Sequence, residues 1–208
     1  GGLVGYAWFV ENSYATGSIS FTGTGSIHQY VGGLVGYANS DSVKTSYATG
    51  NVTLTGSNFF IGGLVGSNSN ATIYQSYATG TVSTSGTDIG GLVGQSDGTI
   101  TSSYWNSDSS GVTDNGLGAG LTTQQMWDST NFSGWDFVST WSIVTGDSVS
   151  FPYLQPNIPD PIPGKQKAYF NGGAGTVGNP YQIATPTQLD NARYFLNAHF
   201  ILTADINL

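Results

Sequence analysis

The chain has 208 residues, of which 8% are charged and 13% aromatic, and it contains no cysteine. So few charges combined with so many aromatic residues indicate a folded chain, because disordered chains show the opposite balance. The formal charge of −8 excludes nucleic acid as a partner, since phosphate contacts need clustered Lys and Arg. The lack of cysteine excludes a disulfide scaffold. Without an apolar run of about 18 residues, we expect no membrane insertion in this segment.

Two short blocks recur in phase along the first half of the chain. The block Gly-Gly-Leu-Val-Gly occupies residues 1–5, 32–36, 62–66 and 90–94, at spacings of 31, 30 and 28 residues. The block Ser-Tyr-Ala-Thr-Gly occupies residues 13–17, 46–50 and 76–80, and its fourth copy is reduced to Ser103-Tyr104-Trp105-Asn106. Short alternating stretches with Gly-rich and Asn-rich turns lie between the blocks, which is typical of strands. The sequence therefore predicts a mainly β fold, a parallel β-solenoid (β-helix) of about 30-residue repeats.

Stacked repeats place equivalent residues in ladders about 4.8 Å apart. We predict a leucine ladder, a valine ladder and a tyrosine ladder: Leu3, Leu34, Leu64 and Leu92; Val4, Val35, Val65 and Val93; Tyr14, Tyr47, Tyr77 and Tyr104. Because side chains alternate along a strand, the leucine and valine ladders are expected on opposite faces. The paired glycines mark corners that need either a positive φ or close backbone approach.

These phased blocks resemble the GLUG motif family, whose signature is a Gly-Leu-Val-Gly core preceded by a tyrosine-bearing strand. The resemblance covers residues 1–106. It implies arrays within very large exported proteins, among them adhesin-like surface proteins and the non-catalytic regions of some bacterial IgA-cleaving peptidases. It also implies an extracellular or cell-surface location. No chemistry comes with the motif, which marks an architecture.

The remainder divides into three predicted parts. Residues 107–154 resemble the closing cap of such an array, where bulky residues cover an otherwise open edge: Trp127, Phe132, Trp135, Phe137, Trp141 and Phe151. Residues 155–167 form a Pro-rich linker, expected to be a stiff spacer. Residues 168–208 resemble the opening cap of a following unit or a donated segment.

The last part contains the best helix signal of the chain. Thr185 is a predicted N-cap, Pro186 suits the first helical position and Gln188 completes a capping box. A strand over residues 199–203 follows. The apolar residues of this part form a candidate inter-subunit segment: Phe170, Tyr181, Ile183, Leu189, Phe195, Phe200, Ile201 and Leu202.

The order of repeats, closing cap, linker and opening cap has two interpretations. In the favoured one, the chain is a window from a long tandem protein. In the other, the final segment completes the array of a neighbouring copy, and this head-to-tail contact propagates into a filament.

Candidate chemistry is sparse. His28 lies in a variable loop and His199 near the predicted helix end, with no nucleophile motif or metal-ligand cluster beside them, so we predict no enzyme and no cofactor. Calcium is the alternative considered near Asp108 and Asp114, although their spacing matches no standard loop and a plain polar loop is favoured.

The leading predicted function is mechanical, an extracellular stalk, fibre or adhesin element whose partners are copies of itself or adjacent repeat units. The alternative is a carbohydrate-binding or protein-binding module that contacts surface glycans or proteins through the loop side of the solenoid. Exposed tyrosine and tryptophan there would favour binding, whereas buried ladders favour a structural role.

Overall fold

A computed structural model describes residues 1–84, 88–145, 148–155, 158–167, 170–173, 175–192, 195 and 197–207. The chain winds into a parallel β-solenoid of about three turns, which confirms the predicted fold class. Three parallel sheets, called A, B and C, form its walls, and each coil contributes to them in that order. One short helix lies near the C-terminus, as expected.

The three walls consist of strands of 2 to 14 residues. Sheet A contains β1 (Val4–Glu11), β4 (Val35–Lys44), β7 (Val65–Ser69), β8 (Thr72–Tyr74), β12 (Val93–Ser96) and β13 (Thr99–Thr101). Sheet B contains β2 (Tyr14–Ala15), β5 (Tyr47–Ala48), β9 (Tyr77–Ala78), β14 (Tyr104–Asn106) and β15 (Ala119–Leu121). Sheet C contains β3 (Ile19–Gly32), β6 (Val52–Gly62), β10 (Val82–Thr84) and β11 (Asp88–Gly90).

The segments that follow the walls contain short elements. They are two 3-10 turns (Gln125–Trp127 and Ser129–Asn131), β16 (Trp141–Ser142), β17 (Ser148–Val149), β18 (Tyr153–Leu154), β19 (Gln166–Lys167), β20 (Tyr181–Ile183), α1 (Pro186–Asn191) and β21 (Phe200–Leu202). The helix starts as its sequence requires, because the Thr185 hydroxyl accepts a hydrogen bond from the Gln188 amide at 3.2 Å. The Gln188 side chain in turn accepts from the Ala184 amide at 2.7 Å.

The repeats pair in register from coil to coil. Val4, Val35, Val65 and Val93 are successive partners in sheet A. Tyr14, Tyr47, Tyr77 and Tyr104 are successive partners in sheet B. Identical residues therefore lie directly above one another, and the shape of one coil is the template for the next.

The leucine and valine ladders share one core, so the prediction of opposite faces is wrong. Leu34 and Val35 are both fully buried in the same interior cluster. Leucine lies in the bend before the strand, where the alternation rule does not apply. The bend is held by a shared acceptor, because the Leu64 carbonyl receives hydrogen bonds from the amides of both Leu34 and Val35, at 2.9 and 3.0 Å.

The paired glycines are needed for close backbone approach. A Cβ on Gly33 would collide with the carbonyl oxygen of Gly63, and a Cβ on Gly63 with that of Gly91. Neither residue has a positive φ, so the first of the two predicted reasons does not apply at these corners. Each coil turns so tightly over the next that no side chain fits there.

The corner between sheets A and B is turned by a residue in the left-handed conformation. Asn12, Thr45, Gln75 and Ser102 occupy this position, with φ of 48°, 50°, 46° and 47°. The serine that follows completes the corner. The Ser46 amide donates to the Ser76 hydroxyl at 3.1 Å, and the Ser76 amide donates to the Ser103 hydroxyl at 3.2 Å. A serine ladder of this kind explains why serine begins each Ser-Tyr-Ala-Thr-Gly block.

The linker folds back on the cap, so the predicted stiff spacer is wrong for the described part of it. Gln166–Lys167 pairs antiparallel with Ser148–Val149. The Phe151 amide donates to the Pro163 carbonyl at 3.0 Å. Proline removes donors but keeps its carbonyl acceptor, and the cap uses that acceptor to bind the linker.

We expect Ser76→Ala to destabilise the chain by about 1–3 kcal/mol, because the buried Ser46 amide would lose its acceptor. Ser13→Ala is the matched control, since the Ser13 hydroxyl donates to the Glu11 carbonyl but accepts from no other described coil. Denaturant unfolding followed by circular dichroism measures both. Equal losses in the two variants would contradict the serine ladder.

Candidate functional site

The tyrosine ladder lies on the outer flank of sheet B, where an aromatic cover buries it. Tyr47 and Tyr77 are fully buried, and Tyr104 is 7% exposed. The rings of successive tyrosines stack nearly parallel. Their centroids are 5.0 Å apart for Tyr14 and Tyr47 and 5.1 Å apart for Tyr47 and Tyr77. The alanine that follows Tyr14, Tyr47 and Tyr77 points the other way, into the solenoid core.

The cover comes from the segment predicted to close the end of the array. Phe132 contacts Tyr104, Trp135 contacts Tyr104 and Tyr77, and Trp141 contacts Tyr77 and Tyr47. The segment thus runs back along the flank, from the last coil towards the second. Within the predicted closing cap (residues 107–154), these aromatic residues cover the flank rather than the end of the core, because the tyrosine column is the large apolar surface beside them.

Hydrogen bonds join the cover to the coils, although the buried indole N–H of Trp141 has no hydrogen-bond partner among the described residues. The Tyr77 hydroxyl donates to the Pro152 carbonyl at 2.5 Å, and the Trp135 indole donates to the Ser102 carbonyl at 2.8 Å. The Tyr47 hydroxyl is buried without a hydrogen-bond partner among the described residues. Burial raises the pKa of Tyr47 and of Tyr77, because the ionised phenolate would be poorly solvated there.

The C-terminal end of the core is closed by residues 105–117. Trp105 replaces the alanine of the repeat, is 3% exposed and packs its indole into the core cluster. Val112 and Leu117 pack against that cluster. The Asn115 amide donates to the carbonyls of Ile89 and Val93, at 3.2 and 2.9 Å, and so occupies backbone acceptors of the last coil.

The opposite end is the first coil of the described residues, called the first rung. It consists of β1, β2 and β3, each of which pairs on one side only, with β4, β5 and β6. Its large apolar side chains are exposed: Leu3 by 54%, Tyr6 by 53%, Trp8 by 67%, Phe9 by 51%, Tyr14 by 38%, Phe21 by 42% and Tyr30 by 39%. Most of the exposed large apolar residues of the solenoid therefore lie at one end.

Three side-chain columns become aromatic towards this end. From the last coil to the first, they read Gln95, Ser67, Tyr37 and Tyr6; Thr99, Thr72, Ser42 and Phe9; Asp88, Phe60 and Tyr30. Tyr6 stacks on Tyr37 at 5.5 Å and Tyr30 on Phe60 at 5.5 Å. Large exposed apolar patches mark surfaces that pack against a neighbour, so the first rung is the surface on which an adjoining coil or another partner would stack.

The described residues of 170–207 form a small unit, called the tail. Strands β20 and β21 pair in parallel, and the rings of Phe170, Tyr181, Phe195 and Phe200 pack together with centroids 4.5–5.9 Å apart. Ile183 is buried and Leu189 half-buried, whereas Ile201 and Leu202 are 49% and 60% exposed. The tail packs largely on itself, and the Gln124 side chain donates to the Tyr181 hydroxyl to join it to the cover.

The acidic residues considered for calcium hold backbone groups. Asp108 accepts from the Thr123 amide and Asp114 from the Gly116 amide, both at 2.8 Å. Among the described residues, no three His, Cys, Asp or Glu side chains converge. His199 is exposed, and the side chain of His28 lies outside the described residues.

Two features of the site escaped the sequence reasoning. Trp105 lies in the reduced fourth copy of the block, at the position that alanine occupies in the other copies. That position identifies the column of core side chains that Trp105 closes. The aromatic gradient towards the first rung depends on the register between coils, which the variable spacing of the repeats concealed.

The ladders, the closed end and the covered flank define a repeat protein of the parallel β-solenoid class. Residues 27–53 and 57–83, which contain the second and third tyrosine blocks, match the GLUG motif. These two repeats are GLUG repeats, as the sequence resemblance indicated.

One relative matches over much of the chain. It is a protein of Evansella cellulosilytica whose name describes it as a Gly-rich membrane protein, and it is 38% identical over 145 residues. The match covers 66% of this chain, but the chain spans only 13% of the length of that relative. No solved structure matches the chain. In the described part of this chain, no helix is long and apolar enough to cross a membrane.

We expect opposite effects from removing two hydroxyls of the tyrosine ladder. Tyr77→Phe should destabilise the chain by about 1–3 kcal/mol, because it leaves the Pro152 carbonyl without its donor. Tyr47→Phe should be neutral or stabilising, because it removes a buried hydroxyl without a partner among the described residues. Thermal and denaturant unfolding measure both, and a larger loss for Tyr47→Phe would contradict the assigned contacts.

We expect stability to fall as the pH rises above about 10, the ordinary pKa of tyrosine. Burial raises the pKa of Tyr77 and of Tyr47 in the folded chain, so their contribution is complete below that pH. This contribution to stability is lost as the pH rises further, since the unfolded chain then releases protons that the folded chain retains. The slope is about 1.4 kcal/mol per pH unit for each such phenol. Unfolding titrations from pH 9 to 12 should show a shallower slope for Tyr77→Phe than for the parent chain.

Proposed function

We propose that this chain is a structural and adhesive element of an extracellular surface protein, in which solenoid units join end to end to form a stalk or filament. The in-register stacking of the coils is the observation that carries the proposal, because the same stacking continues in any coil that adjoins the first rung. The strands of the first rung are paired on one side only, and apolar side chains are concentrated there. The other end is closed by Trp105 and Asn115, so joining is directed to one end.

The stacking of the coils supports a mechanical role. Parallel backbone pairing on three walls joins the first three coils, the fourth coil pairs in sheets A and B, and buried clusters lie inside and outside the walls. A force along the solenoid axis is shared by all three walls, because in each wall it acts on many hydrogen bonds at once. Repeat proteins of this kind are quasi-one-dimensional and make extended rods.

The proposed location rests on the family and on the named relative. Its name as a Gly-rich membrane protein, together with its much greater length, supports a surface protein of which this chain is one part. The scarcity of charge and the absence of cysteine agree with an exported repeat array. We propose no catalytic role, because the described carboxylates near the closed end hold backbone amides.

Electron microscopy of the purified chain over a range of concentrations tests the proposal. We expect rods that lengthen with concentration, because apolar edges associate by mass action. The variant Leu3→Lys with Phe21→Lys places like charges on the exposed first rung and should stay monomeric. Val138→Lys is the matched control, since Val138 is 91% exposed and lies on the cover.

Two outcomes would contradict the end-to-end proposal. One is a parent chain that stays monomeric at the highest soluble concentration. The other is assembly that Leu3→Lys with Phe21→Lys leaves unchanged. Circular dichroism of each variant distinguishes loss of assembly from loss of the fold.

A second candidate function is a carbohydrate-binding or protein-binding module, and the exposed aromatic columns favour it. Trp8 is 67% exposed, and its indole donates to the Tyr6 hydroxyl at 2.8 Å. Asn39 donates to the same hydroxyl at 2.8 Å, so polar and aromatic groups lie side by side. Glycan binding that is lost in Trp8→Ala and kept in Val138→Lys would favour this function.

A further inference from the structure

We infer that Asn115 is a site of spontaneous deamidation, and that its conversion to a carboxylate opens the closed end of the core. The site lies in the loop over residues 111–117, which follows the last coil. Three observations support this: the groups that surround the peptide bond between Asn115 and Gly116, the access of solvent to that bond, and the carbonyl groups to which the Asn115 amide donates.

The residue after Asn115 is the one that favours deamidation most. In this reaction the backbone nitrogen of the following residue attacks Cγ of the asparagine side chain, and a glycine has no Cβ to hinder the attack. Gly116 follows Asn115, and nothing lies within 4 Å of the place where its Cβ would stand. The Gly116 nitrogen is therefore an unhindered nucleophile next to the Asn115 amide.

The loop also supplies a base and a polarising donor. The Gly116 N–H donates to Oδ1 of Asp114 at 2.8 Å, so a carboxylate lies where it can take the proton that the nitrogen loses. The Leu117 N–H donates to Oδ1 of Asn115 at 3.2 Å, and a donor there stabilises the negative charge that develops on this oxygen. Both contacts lie within residues 114–117, so the loop keeps them when its contacts to the coils break.

The reaction needs no reagent other than water. The Gly116 nitrogen forms a bond to Cγ of Asn115 and gives its proton to Asp114. The bond from Cγ to the side-chain nitrogen then breaks, and this nitrogen receives the proton and leaves as ammonia. Water opens the resulting succinimide ring at either carbonyl and leaves an aspartyl or an isoaspartyl residue. Water has access, because Asn115 is exposed and lines a cavity of about 510 Å³.

The same amide group closes the end of the core. It donates to the carbonyls of Ile89, Val93 and Gly94, at 3.2, 2.9 and 3.4 Å. A carboxylate has no hydrogen to donate, and its negative charge would lie against three carbonyl oxygens. Deamidation therefore replaces an attractive contact at the closed end by a repulsive one. Because the ammonia is lost, the end of a converted chain stays open.

The hydrogen bonds to the last coil also control the rate. Ammonia can leave only after the bonds to Ile89, Val93 and Gly94 have broken, so the reaction proceeds from a locally opened end. Val112 holds the same loop down, because it packs against the core cluster. Val112→Ala should therefore speed conversion at Asn115 by about tenfold.

Peptide mapping by mass spectrometry, during long incubation at neutral pH, tests the site. Asn171-Gly172 is the matched control, because it is the same exposed dipeptide preceded by Phe170 instead of a carboxylate. Asp114→Asn keeps an acceptor for the Gly116 N–H but removes the base, so conversion at Asn115 should slow by about 10²-fold. Conversion at Asn171 should not change.

Hydrogen exchange tests the consequence. Asn115→Asp carries the aspartyl product from the start, and the backbone amides of residues 89–94 should exchange about tenfold faster in it, which corresponds to one lost hydrogen bond. Asn171→Asp is the control and should exchange like the parent chain. Circular dichroism shows whether each variant is folded.

Three results would overturn the inference. The first is an Asn115 that remains an amide while Asn171 converts completely. The second is a conversion rate at Asn115 that Asp114→Asn leaves unchanged. The third is equal exchange of residues 89–94 in folded Asn115→Asp and Asn171→Asp. The first two are measured without the Asn115→Asp variant, so they decide the site even if that variant does not fold.

Discussion

The in-register stacking of one coil on the next is the constraint on which the rest of the structure depends. It places identical residues over one another, so each side chain meets its own kind: leucine on leucine, tyrosine on tyrosine, serine hydroxyl on serine amide. Such stacking tolerates apolar, aromatic and small polar groups and penalises like charges. The low charged fraction of the chain and the glycine at each close corner are consequences of this one arrangement.

Stacking leaves three surfaces outside the pairing of the coils: the closed end, the tyrosine flank and the first rung. The chain covers them to different extents. The closed end is filled by a tryptophan at an alanine position and by an asparagine that binds backbone carbonyls. The tyrosine flank is covered by aromatic residues of the following segment. The first rung keeps its exposed apolar groups and its free strands. The array is therefore closed at one end and covered on one flank, and the first rung is the surface on which a further coil would continue the stacking.

The sequence predicted the class of fold, the period and the family, because exact repetition carries these directly. It placed the helix correctly, since Thr185, Pro186 and Gln188 act locally. It failed wherever the outcome depended on how separate segments meet. The alternation of side chains along a strand could not reveal that Leu34 lies in a bend. Composition could not distinguish residues that cover the flank from residues that cap the end. The proline content did not show that the Pro163 carbonyl accepts from the Phe151 amide. The aromatic gradient of the first rung required the coil register, which only the structure supplies.

The serine ladder implies an order in which the coils of the solenoid are completed. Each hydroxyl belongs to a later coil and satisfies the amide of an earlier one, as Ser76 does for Ser46 and Ser103 for Ser76. A ribosome or a secretion channel delivers the earlier coil first, so every coil emerges before the group that completes it. Each coil is therefore completed only when the next one has emerged, and a chain interrupted before Ser103 lacks the hydroxyl that accepts from the Ser76 amide.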